Sequence, residues 1–224
     1  MKRLILTGTL SHIVVGQLMH DSLSDCHEII NRDFSECERE EWSNCRNPRR
    51  KTEWIGARTC LKQLIIEGHP ELQFREVAIQ KNERGRPRAF HLTSGNPLVG
   101  DCSLSHAGPW SVAAWTERER QRIGVDVEHA SPRLIRAAGA FVSPEDQAAH
   151  EREQTKQLAI WWSLKEAASK ALGSGLGAGL AEIRCQEVSK GLHEVSHATG
   201  VTMTGWHTWC EDYVIAVCAF ETAG

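Results

Sequence analysis

Asp126 and Glu128 lie two residues apart in the run IGVDVE, where every second residue is apolar. Such alternation reads as a half-buried strand, and residues i and i+2 of a strand share a face at roughly 7 Å. Two negative charges side by side need something to hold. Further on, WWSLKEAASK carries Trp162, Glu166 and Lys170 at i, i+4 and i+8, one side of a helix. Asp126, Glu128 and Glu166 together make a hard-oxygen set that suits Mg²⁺ or Mn²⁺ rather than zinc. Magnesium keeps several waters and completes its shell with substrate phosphates, so a diphosphate-bearing substrate follows. Ser105 and His106, in SLSH, and Lys170 are the neutral and cationic partners for those phosphates. Blander accounts exist for each piece. Glu166 and Lys170 could be a surface pair worth a few tenths of a kcal/mol. The DxE pair alone would be solvated edge acids, and His106 alone a structural histidine.

The elements that must position these residues alternate between strand and helix. Residues 2–18 read as one or two strands and 24–45 as a polar helix, with a firmer helix over Thr52–Ile66. A short strand spans Phe74–Ile79, and NERGRP (Asn82–Pro87) is a turn. Cys102–Trp115 reads as a hairpin through Ala107-Gly108-Pro109, followed by the IGVDVE strand. Pro132–Ala140 and Ser143–Ala171 are helical, and Glu182–Val188, Val201–Trp209 and Tyr213–Phe220 are strands. Strands, helix and strands in each half, with no low-complexity linker, predict an α+β pair of halves that share a core.

Taken jointly, these motifs resemble the 4′-phosphopantetheinyl transferase superfamily. GVDVE followed by WxxKExxxK is similar to that family's double signature, SLSHAGPWSVAAW to its S-x-S-H segment, and RGRP to its basic turn. LGSGLGAGL resembles the loop after the signature helix. Length, and matches across residues 50–220, resemble the long, monomeric, surfactin-type branch. The resemblance implies a pseudodimer of two similar halves, each an antiparallel sheet with helices, with coenzyme A in the cleft between them. The implied division is 1–115 on the nucleotide side and 116–224 carrying the metal-binding motifs.

The implied activity is transfer of phosphopantetheine from coenzyme A to a serine of an apo acyl or peptidyl carrier protein, releasing adenosine 3′,5′-bisphosphate. By motif match, Asp126, Glu128 and Glu166 resemble the Mg²⁺ ligands, and Ser105 and His106 the contacts to coenzyme A phosphates. Lys170 resembles the lysine near the diphosphate and Arg86 the basic residue near the nucleotide. Arg58 matches a family arginine when one residue of slippage is allowed. Glu145, in FVSPEDQ, resembles an acid assigned as general base, with a metal-bound water as the rival. Residues 111–140 are the expected carrier-docking surface. One departure stands out: Glu38, Glu40 and Glu41 occupy places where related sequences carry lysines, and Arg46, Arg49, Arg50 and Lys51 follow as possible compensation. The alternative reading is a non-catalytic binder of coenzyme A or carrier protein on the same fold, and a weaker third is a metal-dependent hydrolase acting on a diphosphate.

The bulk composition bounds the rest. With 224 residues, 41% hydrophobic and a net charge of -3, nothing points to nucleic acid or membrane. Eight cysteines with no C-x-x-C fit reduced thiols in a cytoplasmic protein. Lys2 and Arg3 before an apolar stretch resemble a signal peptide, but Thr7, Gly8, Ser11 and His12 break that stretch. HEVSH (His193–His197) matches the zincin pattern, which needs both histidines on one helix face. Its β-like surroundings between Gly191 and Gly200 make it a decoy. Most of the eight tryptophans sit in apolar patterns and read as packing.

Overall fold

The computed structural model describes residues 1–6, 8–23, 25–143, 154–173 and 179–222, which divide into two compact units. One comprises Met1–Leu6 and Ser11–Glu119; the other comprises Thr7–Leu10 and Arg120–Gly224. Both are built from antiparallel sheets and helices.

The first unit contains β1 (Lys2–Leu4), β2 (Val14–Met19), α1 (Cys26–Asp33), α2 (Glu36–Asn44), α3 (Pro48–Gly68), β3 (Val77–Lys81), β4 (Pro87–His91), β5 (Asp101–Ala107) and β6 (Trp110–Thr116). Its main sheet runs β1-β2-β6-β5, and β3-β4 form a separate hairpin. The helix α3 starts where Asn47 accepts the amide of Arg50, with Pro48 in the first turn, a position where proline's missing N–H costs nothing. Its face of Cys60, Leu61, Leu64 and Ile65 packs against Leu18, Cys102, Ala113 and Trp115 of the sheet. Each such fully buried aliphatic side chain contributes roughly 1.5–3 kcal/mol.

The polar helix expected over 24–45 is two helices. Ser35 is extended and caps α2: its hydroxyl accepts the Glu38 amide while the Glu38 carboxylate accepts the Ser35 amide. This S-x-x-E capping box competes with helix continuation at the Phe34–Ser35 step. Phe34, between the helices, is buried with Ile29, Ile30, Trp42 and Ile55. Two strands escaped the sequence pattern. Pro87–His91 is short and opens with proline, and Leu192–His197 holds the histidine pattern set aside above.

The second unit contains β7 (Gln121–His129), α4 (Arg133–Ala137), α5 (Gln154–Leu172), β8 (Ile183–Ser189), β9 (Leu192–His197), β10 (Thr202–Cys210) and β11 (Tyr213–Glu221). Its sheet runs β7-β11-β10-β9-β8, all antiparallel. The core joins Leu158, Leu164, Ala167, Ala168 and Ala171 of α5 to Val195, Met203, Val214, Ala216 and Cys218 of the sheet. Among the described residues no helix is long and apolar enough to cross a membrane.

Candidate active site

The IGVDVE strand is β7, and its two faces differ in kind. Gly124, Asp126 and Glu128 share one face, and α5 lies directly over it. A Cβ on Gly124 would sit 1.9 Å from the Ala167 carbonyl oxygen and 2.8 Å from the Ala171 amide nitrogen. Only glycine lets the helix backbone come this close to the strand. That approach sets Glu166 and Lys170, one turn apart on α5, above the acids of β7. Lys170 Nζ donates to Asp126 Oδ1 at 2.8 Å and to the Val125 carbonyl at 3.0 Å. Glu166 is no surface partner of Lys170, for only 5% of it is exposed.

The electrostatics follow from this crowding. Burial pushes the Glu166 carboxyl up to about 7, and the charges of Asp126 and Glu128 push the same way against Lys170. Its Oε2 is buried and accepts no hydrogen bond among the described residues. Glu128 Oε1 accepts the His129 amide at 2.7 Å and a bond from Arg133 at the start of α4. Three carboxylates thus converge on Lys170 and Arg133. Their donor chemistry fits a hard divalent cation, and the buried Glu166 Oε2 is an acceptor without a donor among the described residues. The side chains are nevertheless not preassembled: among the described residues, no three His, Cys, Asp or Glu are grouped to hold an ion as they stand.

Beside Glu166, Lys165 is fully buried and donates from Nζ to the Phe141 carbonyl at 2.6 Å. This bond ties α5 to the segment leading toward Glu145, and Phe141 stacks edge-on against Trp162 at 5.0 Å. The adjacent K-E pair in the sequence was the available signal, since buried lysines are rare without a structural task. Glu145 itself lies outside the described residues.

The remaining candidates belong to the first unit. Ser105 and His106 are consecutive on β5 and so face opposite sides; Ser105 is buried while His106 is 39% exposed in its side chain. His106 Nδ1 lies 3.4 Å from Glu53 Oε2 on α3. Arg86 Nε donates to Asp101 Oδ1 at 3.2 Å and Nη2 to Oδ2, a forked pair. Arg58 is buried, stacks on Trp54 with 3.7 Å to the ring centroid, and donates to both Glu41 oxygens at 3.0 Å.

The acidic segment that departs from the family pattern has an internal purpose. Glu38 is a buried hub: Lys62 Nζ at 2.9 Å and the Ser35 hydroxyl at 2.8 Å donate to Oε2, and the Ile79 amide at 3.0 Å donates to Oε1. Lys62, with no exposed surface, also donates to the carbonyls of Asp33 and Phe74. All three of its donors are therefore used. Burial lowers the Lys62 pKa and Glu38 raises it again. Glu41 holds Arg58 and the Trp54 indole. Glu40, by contrast, is exposed.

The structure therefore brings Asp126, Glu128, Glu166 and Lys170 together. Arg58 and Arg86 sit on separate carboxylates within the first unit, and Ser105 and His106 lie on its β5.

Residues 122–218 match the family model described as the 4′-phosphopantetheinyl transferase superfamily. Among solved structures, the chain is similar to a holo-(acyl-carrier-protein) synthase from Bacillus anthracis in complex with CoA (3′,5′-ADP). That match has 18% identity and a TM-score of 0.40, covering 46% of this chain and 92% of that one. The Helicobacter pylori holo-[acyl-carrier-protein] synthase in complex with coenzyme A matches at 20% identity and a TM-score of 0.36, covering 43% and 96%. The Thermotoga maritima synthase matches at 19% and 0.37, covering 56% and 73%. No curated protein matches the chain in sequence.

Proposed function

On the premise that residues 122–218 belong to the 4′-phosphopantetheinyl transferase superfamily, we propose that this protein transfers 4′-phosphopantetheine from coenzyme A to a serine of an apo carrier protein. The observation that carries the reading is the convergence of Asp126 and Glu128 of β7 with Glu166 of α5, the helix whose Lys170 reaches Asp126, all within the matched segment. Three crowded, largely buried carboxylates cost stability unless they hold a cation. Asp126, Glu128 and Glu166 would hold Mg²⁺ or Mn²⁺, which when bound neutralises charge on the diphosphate.

The chain's own residues do the remainder. Lys170, anchored on the Val125 carbonyl, places an ammonium where charge develops on the departing bisphosphate. Ser105 and His106 bind coenzyme A phosphates, with Arg86 toward the nucleotide end. Arg58 acts with Glu41 and Trp54 as one stacked, paired unit. Glu145 is the proposed general base, taking the proton of the carrier serine; the rival is a water, which a cation held by Asp126, Glu128 and Glu166 would make more acidic. Residues 1–115 serve the nucleotide side and 116–224 the metal side, as the halves of a monomeric pseudodimer that takes coenzyme A in its cleft. The protein works in the cytoplasm. The carrier docks within 111–140, where Arg133, Ile135 and Arg136 of α4 are exposed and suit an acidic helix with an apolar stripe.

Intact-mass spectrometry of a panel of apo carriers, incubated with the protein, coenzyme A and Mg²⁺, tests the reading. One phosphopantetheine should be gained by a carrier and lost with Asp126→Ala or Glu166→Ala. Coenzyme A bound without transfer to any carrier would instead favour a binding protein, and free phosphopantetheine without a carrier would favour a hydrolase.

A further inference from the structure

At the start of α3 a single buried carboxylate serves two outward-reaching bases. Glu53, 5% exposed, accepts Arg49 Nε on Oε1 at 2.8 Å, and its Oε2 lies 3.4 Å from His106 Nδ1. The Arg49 side chain is 71% exposed, so a bond through Nε leaves its two terminal nitrogens directed away from the carboxylate. An Nδ1 held by a carboxylate likewise fixes the imidazole ring and turns Nε2 away from Glu53. Arg49 comes from the first turn of a helix and His106 from strand β5, and Glu53 is the group that touches both.

The floor beneath Glu53 is equally specified. Ser111 on β6 donates from its hydroxyl to the Glu53 carbonyl at 3.4 Å and pairs with His20 Nε2 at 2.9 Å. Gly56, one turn along α3, admits this arrangement, because a Cβ there would meet Ser111 Oγ at 2.7 Å and His20 Cδ2 at 3.2 Å. The ring of His20 is driven toward the neutral form by burial, while the fields of Glu53 on one side and of His106 and Arg49 on the other oppose each other. Asp21 completes the charges around it.

We infer that Glu53 is a positioning residue that joins Arg49 and His106 into one anion-receiving pair, so that a phosphate group of coenzyme A meets both together. The inference rests on the coenzyme A reading above. Glutamine cannot replace Glu53, since an amide offers one accepting oxygen and turns an N–H toward the other base. The two bases then act separately.

Coenzyme A binding to the full chain, measured by calorimetry, and steady-state transfer to a carrier test this. Glu53→Gln should weaken coenzyme A binding about tenfold and raise its KM while kcat falls less than threefold, as for a lost binding contact. In an Arg49→Gln/His106→Gln background, Glu53→Gln should cost less than a further twofold, because the groups it orients are gone. Glu53→Asp, which keeps both oxygens, should restore part of the loss. Additive effects in the two backgrounds, or equal coenzyme A binding by wild type and Glu53→Gln, would overturn the positioning role and leave the transferase reading intact. If Glu53→Gln melts early, the Arg49→Gln and His106→Gln single and double variants, altered at partly exposed positions, decide instead. Their losses should be less than additive if the pair acts as one. A wild-type chain that binds no coenzyme A would remove the function and this inference together.

Discussion

The two units solve the same packing problem with opposite charge policies. Each lays a long helix, α3 or α5, across an antiparallel sheet and buries ionic groups at or near the contact. In the first unit four acids have basic partners within it: Glu38 has Lys62, Glu41 has Arg58, Asp101 has Arg86, and Glu53 has Arg49 and His106. In the second, Asp126, Glu128 and Glu166 converge on Lys170 and Arg133, and the Glu166 carboxyl is held near 7 by burial and by its neighbours. A buried pair that balances is architecture. A buried excess of one sign is retained at a cost in stability, and such costs concentrate at sites that bind or react.

Opposite policies predict opposite responses to mutation, the largest in the first unit. Glu38→Ala leaves Lys62 charged and buried, along with the Ile79 amide, and should destabilise that unit by about 3–5 kcal/mol. Chemical denaturation followed by a probe in each unit would show it, and a loss below about 1 kcal/mol would show that the hub is not structural. The matching change in the second unit, Glu166→Gln, should stabilise the metal-free protein by about 1 kcal/mol at neutral pH and raise its melting temperature, because it removes one of three crowded charges. A Glu166→Gln protein that melts earlier than wild type would erase the contrast between the units.

The same contrast extends to activity. Asp126→Ala removes an acid and the carboxylate that accepts from Lys170, and should lower transfer to a carrier by about 10²–10³-fold, the range for loss of one preorganised electrostatic contact. Stability should change little, since charge crowding is relieved as an ion pair is lost. A thermal melt beside the mass assay separates the two effects, and activity within tenfold of wild type would exclude Asp126 from the site.

Steric tolerance is a finer comparison. In the second unit the added methyl of Gly124→Ala would collide with helix backbone, the Ala167 carbonyl, which cannot move without shifting α5. A cost of about 2–3 kcal/mol is expected, with the Asp126–Lys170 contact disturbed as well. In the first unit Gly56→Ala meets the Ser111 hydroxyl and the edge of His20, side-chain atoms that can turn, and alanine gains up to about 1 kcal/mol of helix propensity. Its net effect should stay within about 1 kcal/mol. Equal melting temperatures for the two variants would mean that α5 does not depend on its close approach to β7.

How much of this could be read beforehand depends on range. Asp126, Glu128, Glu166 and Lys170 were legible because two local periods, strand and helix, each placed their members on one face; only the meeting of the two faces needed the fold. The capping box at Ser35 was equally local, yet the polar run around it masked the break between α1 and α2. What the sequence hid were pairings between distant elements. Lys62 with Glu38, Arg58 with Glu41 and Glu53 with His106 span from 17 to 53 residues. No periodicity joins such positions, so Glu38 and Glu41 looked like misplaced surface acids when they are partners of α3.

The last comparison concerns two histidines of the second unit, which burial drives toward the neutral form. His193 Nε2 and His207 Nδ1 lie 2.7 Å apart across β9 and β10, a distance that requires a shared proton and so at least one neutral ring. Burial first, and His207 second, lower the His193 pKa to about 4, while burial lowers that of His207 against the opposing charge of Glu187. The unfolded chain takes up these protons near 6.5 and the folded chain only at lower pH, so acid favours unfolding. The pair's contribution is complete above pH 6.5 and is lost as pH falls toward 4, with a size of about 2 kcal/mol after allowing for partial solvent access. Unfolding free energies of wild type and His193→Gln between pH 7.5 and 4.5 measure it. The wild-type curve should fall more steeply below 6.5, and the variant's should keep only the slope due to the other titrating groups, His20 and His207 among them. Parallel curves would mean that His193 titrates alike in both states, and that the second unit does not exclude charge from this histidine pair as the first unit balances charge among its paired acids.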